Sequence, residues 1–220
     1  LDKPYNMPVH PSPGHDRDSV LNAAAWYFQN TPDFVFRPLY RLDRDTTGAL
    51  VLAKNKFAAN AKLTKMYRAV CEGETPESGC VNVPIGLKLG HKVERCAGIG
   101  DEAVTEFQTV RTSGGYSLVD FHLKTGRTHQ IRVHMRHINH ACVGDPLYGK
   151  CDARADQGLT RQFLHSWRVA FDHPVTGERI ECRDELPWDL AAVLDDLAPR
   201  SLGRTAVGDE IVPQLGLLEA

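Results

Sequence analysis

The chain has 220 residues, of which 42% are hydrophobic and 25% are charged, and its net charge at pH 7 is −2. These proportions are typical of a globular protein, and they argue against a disordered chain or a generally basic nucleic-acid binder. No apolar run approaches the length of a membrane span and the N-terminus does not read as a signal peptide, so we expect no membrane partner.

Positive charge is concentrated in the first three quarters of the chain. Residues 1–171 hold 22 Lys and Arg against 17 Asp and Glu, whereas residues 172–220 hold 4 against 11. The stretch 121–144 contains no acidic residue, four Lys and Arg, and five histidines. This local concentration of cations keeps contact with a nucleic acid open, although the overall charge argues against it.

The six cysteines are scattered along the chain and form no C-x-x-C pair. In a chain of this length, that pattern favours reduced, mostly buried thiols over a disulfide framework. We therefore expect an intracellular protein, in the cytoplasm or an organelle, with a monomer as the default oligomeric state.

The first third of the chain reads as helix, strand, helix and strand. The first helix contains helix-forming alanines and has Asp18 or Ser19 as its N-cap, and the second helix is capped by Asn55. The last strand alternates apolar and polar residues, as a half-buried strand does. These elements are predicted at 19–28, 49–54, 55–65 and 66–73.

The rest of the chain reads as a hairpin, a helix, two strands and a helix. The hairpin turns at Gly114 and Gly115, and the last helix is acidic, with Pro187 in its first turn. The middle helix places Ile131, Met135 and Ile138 on one face. These elements are predicted at 103–123, 128–138, 163–171, 178–183 and 187–197.

Helices and strands follow one another without a regular βαβ alternation, and tight turns join several neighbouring strands. This order favours an α+β fold with a largely antiparallel mixed sheet. After Pro199 the pattern fades. We expect one domain over residues 1–198, followed by an extension at 199–220 whose role the sequence leaves open.

Two motifs invite other functions. "GDPLYGKC" at 144–151 fits most of a phosphate-binding loop, but Pro146 removes a backbone donor, Asp145 would repel phosphate, and Cys151 replaces the hydroxyl that binds magnesium. We treat this match as accidental. Four histidines at 129, 134, 137 and 140 suggest a metal-dependent hydrolase, although no H-E-x-x-H spacing occurs. We expect no metal site and keep that hydrolase as an alternative.

The segment "YRLDRDTTG" at 40–48 places Asp43 between Arg41 and Arg44. Neighbouring cations favour the ionised form of a carboxylate. Taken alone, the segment is as well explained by a salt-bridged surface loop, which would contribute little. Two further segments raise the interest of Asp43: "KMYRAVCEG" supplies Tyr67, and "TGRTHQIRVHM" places Arg127 ahead of a predicted helix.

The order YRLDRDTTG, MYRAV, TGRTHQIRVHM and GDPLYG resembles the RluA-type family of RNA pseudouridine synthases. The resemblance runs from "LDKPYNMPVHPSPG" to "FDHPVTGERIECRDELPWDL" and covers most of the chain. It implies the catalytic fold of that family, with a central cleft, over residues 1–198. It also implies isomerisation of selected uridines to pseudouridine in structured RNA, either tRNA or rRNA, without a cofactor.

The resemblance also assigns roles to residues. Asp43 matches the aspartate that acts on the sugar of a flipped-out nucleotide, and Tyr67 matches the tyrosine that stacks on the base and serves as a base at C5. Arg127 matches the basic residue that pairs with the aspartate. Leu42 and Ile131 are expected to pack around the active site. The residues expected to contact RNA are Arg41, Arg44, Lys124, His129, Arg132 and Arg136.

The chain departs from the family pattern at two points. Tyr40 stands where the family usually has His, and Thr46-Thr47-Gly48 replaces a T-S-G turn. The turn is conservative, whereas Tyr40 changes the edge that faces RNA. A protein that binds structured RNA without modifying it is therefore a second hypothesis, but intact Asp43 and Tyr67 favour the enzyme.

Overall fold

A computed structural model describes residues 1–149 and 159–196. This part of the chain contains three α-helices and ten strands. The helices are α1 (Val20–Tyr27), α2 (Gln130–His137) and α3 (Trp188–Asp196). The strands are β1 (Asp2–Lys3), β2 (Thr47–Ala49), β3 (Leu63–Glu72), β4 (Ser78–Asn82), β5 (Ile85–Leu87), β6 (Arg95–Ala97), β7 (Val104–Ser113), β8 (Tyr116–Leu123), β9 (Leu164–Asp172) and β10 (Arg179–Arg183).

Eight strands form one sheet in the order β1-β2-β9-β3-β8-β7-β4, and β10 also pairs with β9. All of these pairings are antiparallel except that of β2 with β9. Strands β5 and β6 form a separate antiparallel hairpin. The predicted α+β fold with a largely antiparallel mixed sheet is confirmed.

The sheet is covered on both faces, and alternate residues of β3 serve the two sides. Tyr67, Ala69 and Cys71 belong to the main core, which α1 and α2 also join. Val70 belongs to a second core together with Leu190 and other residues of α3. Successive side chains of a strand point to opposite faces, so a single strand supplies both cores.

Most of the predicted elements are confirmed. Ser19 caps α1 through a capping box with Asn22, and the hairpin β7–β8 turns at Gly114 and Gly115. Helices α2 and α3 and strands β9 and β10 lie where the sequence places them. Strands β1 and β4 and the β5–β6 hairpin were not predicted from the sequence. The expected domain end at residue 198 and the extension 199–220 lie outside the described residues.

Two predictions between residues 49 and 65 were wrong. The strand ends at Ala49, and the predicted helix is reduced to a 3₁₀ turn at Ala58–Asn60. The side chain of Asn55 accepts a 2.8 Å hydrogen bond from the backbone N–H of Ala58, although Phe57 is the N-cap residue of that turn. Leu63–Glu72 is nevertheless one strand, because its first residues pair with the end of β9. Tertiary pairing has overridden a local helix signal.

Strand β3 is irregular at Tyr67. The register against β9 shifts between Met66 and Arg68, so that Ser166 and Trp167 of β9 stand opposite this single residue. Bulges of this kind redirect a side chain and are frequent beside active sites. The bulge therefore marks Tyr67 as a candidate active-site residue.

Gly48 allows β2 to approach β9 closely. Its φ is +111°, and a Cβ at this position would lie 2.4 Å from the carbonyl oxygen of Ser166. We predict that Gly48→Ala lowers the free energy of unfolding by about 2–4 kcal/mol, measured by urea denaturation, because strain and overlap act together. Gly14→Ala is the control, with φ +82° and open space around it. It should cost about 1–2 kcal/mol, and equal losses would contradict the role of the close approach.

Candidate active site

The loop that carries Asp43 is held by contacts from distant parts of the chain. The buried ammonium of Lys3 donates hydrogen bonds to the carbonyls of Pro4, Met7 and Arg44 at 2.7–2.9 Å. Arg161 donates a hydrogen bond to the carbonyl of Asp45 at 3.1 Å. These bonds hold the backbone that follows Asp43, so the carboxylate is presented from a fixed loop.

Asp43 is paired with Arg132 of α2. The guanidinium of Arg132 donates a hydrogen bond through Nη1 to Oδ2 of Asp43 at 3.1 Å. Through Nε and Nη2 it donates two further bonds, of 2.7 and 2.8 Å, to Asp145. The Asp43 side chain is 22% exposed, whereas those of Arg132 and Asp145 are 7% and 0% exposed. Asp43 is therefore the accessible end of a buried chain of alternating charges.

The predicted pairing of Asp43 with Arg127 was wrong. Arg127 lies in the loop before α2 and donates its Nε hydrogen bond to the carbonyl of Glu102 at 2.8 Å. Its Nη1 is 3.8 Å from the exposed carboxylate of Asp101. Arg132, which was expected to contact RNA, bonds to Asp43 instead. It lies within α2, whereas Arg127 lies in the loop before the helix.

The turn after α2 fixes the far end of this charge chain. Asp145 accepts hydrogen bonds at Oδ1 from the backbone N–H groups of Leu147 and Tyr148. The ring of Tyr148 lies against the Arg132 guanidinium, with 5.0 Å from Cζ to the ring centre. The role of Asp145 in orienting Arg132 was not predicted from the sequence. The presence of GDPLYG in the family pattern was the signal for it.

Opposing effects act on the Arg132 guanidinium. Burial lowers the pKa of Arg132, but its hydrogen bonds and charge interactions with Asp145 and Asp43 outweigh burial and raise the pKa above its usual range. The group therefore remains a cation. A fixed cation beside a carboxylate stabilises charge without needing to reorganise during a reaction.

Tyr67 lies in the main core and is 5% exposed. Burial, and then the nearby Tyr40 and Asp43, raise the pKa of Tyr67 well above its ordinary range. Its phenol is therefore neutral at physiological pH. Tyr40 is hydrogen-bonded through its hydroxyl to the carbonyl of Ala49 at 2.5 Å. The ammonium of Lys65 lies 5.2 Å from the centre of the Tyr40 ring.

The remaining predicted site residues are spread over several environments. Leu42 and Ile131 lie in the same core as Tyr67. Arg44 is paired with Asp45, and Lys124 is 3.2 Å from Glu106. Arg136 is exposed in the last turn of α2. Their expected roles stay predictions.

The acid-free stretch 121–144 is not one continuous surface. Arg132 and His134 point inward and are buried. His134 bonds to Thr105 and to the carbonyl of Val83, and His140 bonds to the carbonyl of Glu72. Within residues 1–149 and 159–196, no group of three or more His, Cys, Asp or Glu is arranged to hold a metal ion. In that part of the chain, no helix has the length and apolarity to cross a bilayer.

A groove of about 460 Å³ opens beside the Asp43 loop. Arg41, two residues before Asp43, lies on its wall and is exposed. Other parts of the wall come from the β5–β6 hairpin and from the loop before α2. His129, at the start of α2, bonds through Nδ1 to the Tyr148 hydroxyl at 2.8 Å, and burial lowers the pKa of His129.

The family described as RNA pseudouridylate synthase matches residues 1–137. The chain belongs to this family. It is 40% identical over 215 residues to an uncharacterized RNA pseudouridine synthase of Chloroflexus aurantiacus, covering 90% of this chain and 66% of that one. It is 34% identical over 223 residues to ribosomal large subunit pseudouridine synthase D of Haemophilus ducreyi, covering 90% and 67%. The chain thus spans about two thirds of the length of these relatives.

The fold is also shared with a solved pseudouridylate synthase domain. Human RNA pseudouridylate synthase domain containing 1 has a TM-score of 0.67 and 26% identity, covering 87% of this chain and 82% of that one. The resemblance predicted from four motifs is therefore confirmed. At the level of the family, the predicted assignment as a pseudouridine synthase, an isomerase that acts on RNA, is correct.

The two arginines near the start of α2 can be separated by matched substitutions. We predict that Arg132→Lys lowers kcat for pseudouridine formation by about 100- to 1,000-fold, because lysine cannot satisfy Asp43 and Asp145 together. Arg127→Lys should change kcat by less than about threefold. Single-turnover assays at saturating RNA measure both, with circular dichroism to check folding. A larger loss of kcat in Arg127→Lys than in Arg132→Lys would instead support the pairing of Asp43 with Arg127 that the sequence predicted.

Proposed function

We propose that this chain converts uridine to pseudouridine in the RNA of the large ribosomal subunit, with Asp43 acting on the ribose of a flipped-out nucleotide. The observation that carries the proposal is the Asp43–Arg132–Asp145 charge chain, whose accessible carboxylate belongs to a loop that also lines a groove through Arg41. Several relatives bear the name ribosomal large subunit pseudouridine synthase D, which favours rRNA over tRNA.

The reaction needs no change in composition. The bond between N1 of uracil and C1′ of ribose breaks, and a bond between C5 and C1′ forms. C5 loses a proton and N1 gains one, so atoms and electrons balance without a cofactor. Asp43 either attacks C1′ or removes a proton from C2′, and in both routes the hydrogen bond from Arg132 holds the carboxylate in position.

Access to the sugar requires the target nucleotide to leave its stack. Extrusion costs a few kcal/mol, and stacking on an aromatic side chain returns about 1–3 kcal/mol. Tyr67 is mostly buried, so only a base that has entered the site can reach its ring. The bulge in β3 at Tyr67 and the packing of Tyr40 against the same core support this role.

The protonation of Tyr67 restricts its part in the chemistry. A phenol with a raised pKa is a weak acceptor of the C5 proton unless it passes its own proton onward. Asp43 is the carboxylate whose charge acts on Tyr67. We propose that Tyr67 assists removal of the C5 proton as a neutral phenol instead of acting as a free phenolate. The expected monomeric state stays a prediction.

Two neighbouring carboxylates provide a direct test of the catalytic assignment. We predict that Asp43→Asn abolishes pseudouridine formation in ribosomal RNA, because the amide can neither attack nor remove a proton. Asp45→Asn is the matched control, since Asp45 is held by Arg44 and by the backbone N–H of Asn6. Pseudouridine mapping of treated RNA measures both. Equal product from the wild type and Asp43→Asn would refute the assignment, and RNA binding without product from the wild type would favour the non-modifying alternative.

The raised pKa of Tyr67 predicts the pH dependence of the rate. Between pH 7 and 9 the phenol remains protonated, so we expect no rise in kcat from its ionisation. A required phenolate would instead raise the rate about tenfold per pH unit below the pKa of Tyr67. Tyr67→Phe should keep the stacking ring and lose about 100- to 10,000-fold in kcat. Single-turnover rates from pH 6 to 9 with both proteins decide between these roles.

A further inference from the structure

We infer that Arg95 and Arg127 form a phosphate-binding pair in the groove beside Asp43 and hold the RNA strand next to the flipped-out uridine. This inference rests on the proposed action on RNA and adds the path of the strand. No sequence motif marked Arg95, and Arg127 had been expected to contact Asp43. Both residues line the same groove, Arg95 from β6 and Arg127 from the loop before α2.

The side chain of Arg95 lacks partners that its charge would be expected to have. Its Nε is buried and has no hydrogen-bond partner, and its guanidinium forms no ion pair with any residue in 1–149 or 159–196. A guanidinium that is partly removed from water and left without an anion loses solvation without compensation. A phosphodiester at the outer guanidinium nitrogens would supply the missing anion, because planar guanidinium groups match phosphate geometry.

The position of Arg95 is fixed through the catalytic network. Its backbone N–H donates a 2.9 Å hydrogen bond to the hydroxyl of Tyr148. The same hydroxyl bonds to His129, and the ring of Tyr148 lies against Arg132. A strand held by Arg95 is therefore positioned relative to the guanidinium that holds Asp43.

Arg127 is oriented from its inner end and free at its outer end. The hydrogen bond from Nε to Glu102 uses one donor, and the 3.8 Å distance from Nη1 to the exposed carboxylate of Asp101 is long for an ion pair. Water and salt screen that contact, so a phosphate can displace it at little cost. The outer guanidinium nitrogens thus remain available to RNA.

The surrounding wall suits a sugar–phosphate chain. Arg41 adds a third guanidinium, whereas Asp101 is the one acidic side chain on the wall described. Gly126 lies beside Arg127 and has no side chain to obstruct an approaching strand. The ammonium of Lys65 lies 4.0 Å from the place where a Cβ on Gly126 would stand. This concentration of cations gives a protein of net charge −2 a local polyanion site.

Salt dependence of RNA binding tests the inference separately from catalysis. Dissociation constants are measured with an RNA stem-loop from the large subunit at 50–400 mM NaCl, in the Asp43→Asn background so that no conversion occurs. The slope of log Kd against log salt should fall by about 0.7 for Arg95→Gln and again for Arg127→Gln, because each loses one phosphate contact. Arg183→Gln on the outer strand β10 is the control and should leave the slope unchanged.

A charge-preserving variant separates RNA contact from a structural role. Arg95→Lys should restore most of the slope, since the slope counts phosphate neutralisation. Loss of slope in both Arg95→Gln and Arg95→Lys would indicate a displaced hairpin and overturn the inference. An unchanged slope in Arg95→Gln would overturn it as well. If the wild type forms product and the slope of Arg95→Gln is unchanged, this inference is refuted while the proposed function stands.

A chemical modification of the RNA locates the contact. Single methylphosphonate groups, which are neutral, are placed one at a time along the stem-loop. At one or two adjacent positions, the modification should weaken binding to the parent protein about tenfold. The same position should have no effect on the protein that also carries Arg95→Gln. Equal weakening in both proteins at every position would overturn the assignment of Arg95.

Discussion

The structure depends on one buried cation between two carboxylates. Arg132 donates two hydrogen bonds to Asp145 and one to Asp43, and Asp43 is the accessible one of the two carboxylates. A buried charge that lost one partner would be strongly destabilising, so the three side chains hold one another in place. This rigidity suits the proposed reaction, in which the Asp43 carboxylate would meet the sugar of a flipped-out nucleotide.

Residues from distant parts of the sequence hold the loop that carries Asp43. Lys3 and Arg161 hold the backbone that follows Asp43, so the first and last thirds of the chain converge on one loop. The parallel pairing of β2 with β9 places that loop against the sheet, and the close approach at Gly48 leaves no space for a side chain. The bulge in β3 lies at Tyr67, which packs in the same core as Leu42 of that loop.

Burial, as well as composition, determines which charged side chains reach the surface. The stretch 121–144 holds only basic and neutral residues, yet Arg132 and His134 within it are buried and serve the interior. The cations that line the groove come instead from separate segments, Arg41 ahead of β2, Arg95 on β6 and Arg127 before α2. A protein with a small net negative charge can present a cationic groove because its acids are concentrated elsewhere in the chain, in residues 172–220.

The sequence by itself determined the family, the α+β class and the loop that bears Asp43, because those depend on local motifs and their order. It also placed α1, α2 and the β7–β8 hairpin, whose caps and turns are local. Only the tertiary structure decided that Arg132, and not Arg127, meets Asp43, since both arginines share one short segment. Which of them turns inward depends on where α2 begins and how it packs, and that is set by contacts with Asp145 and Tyr148.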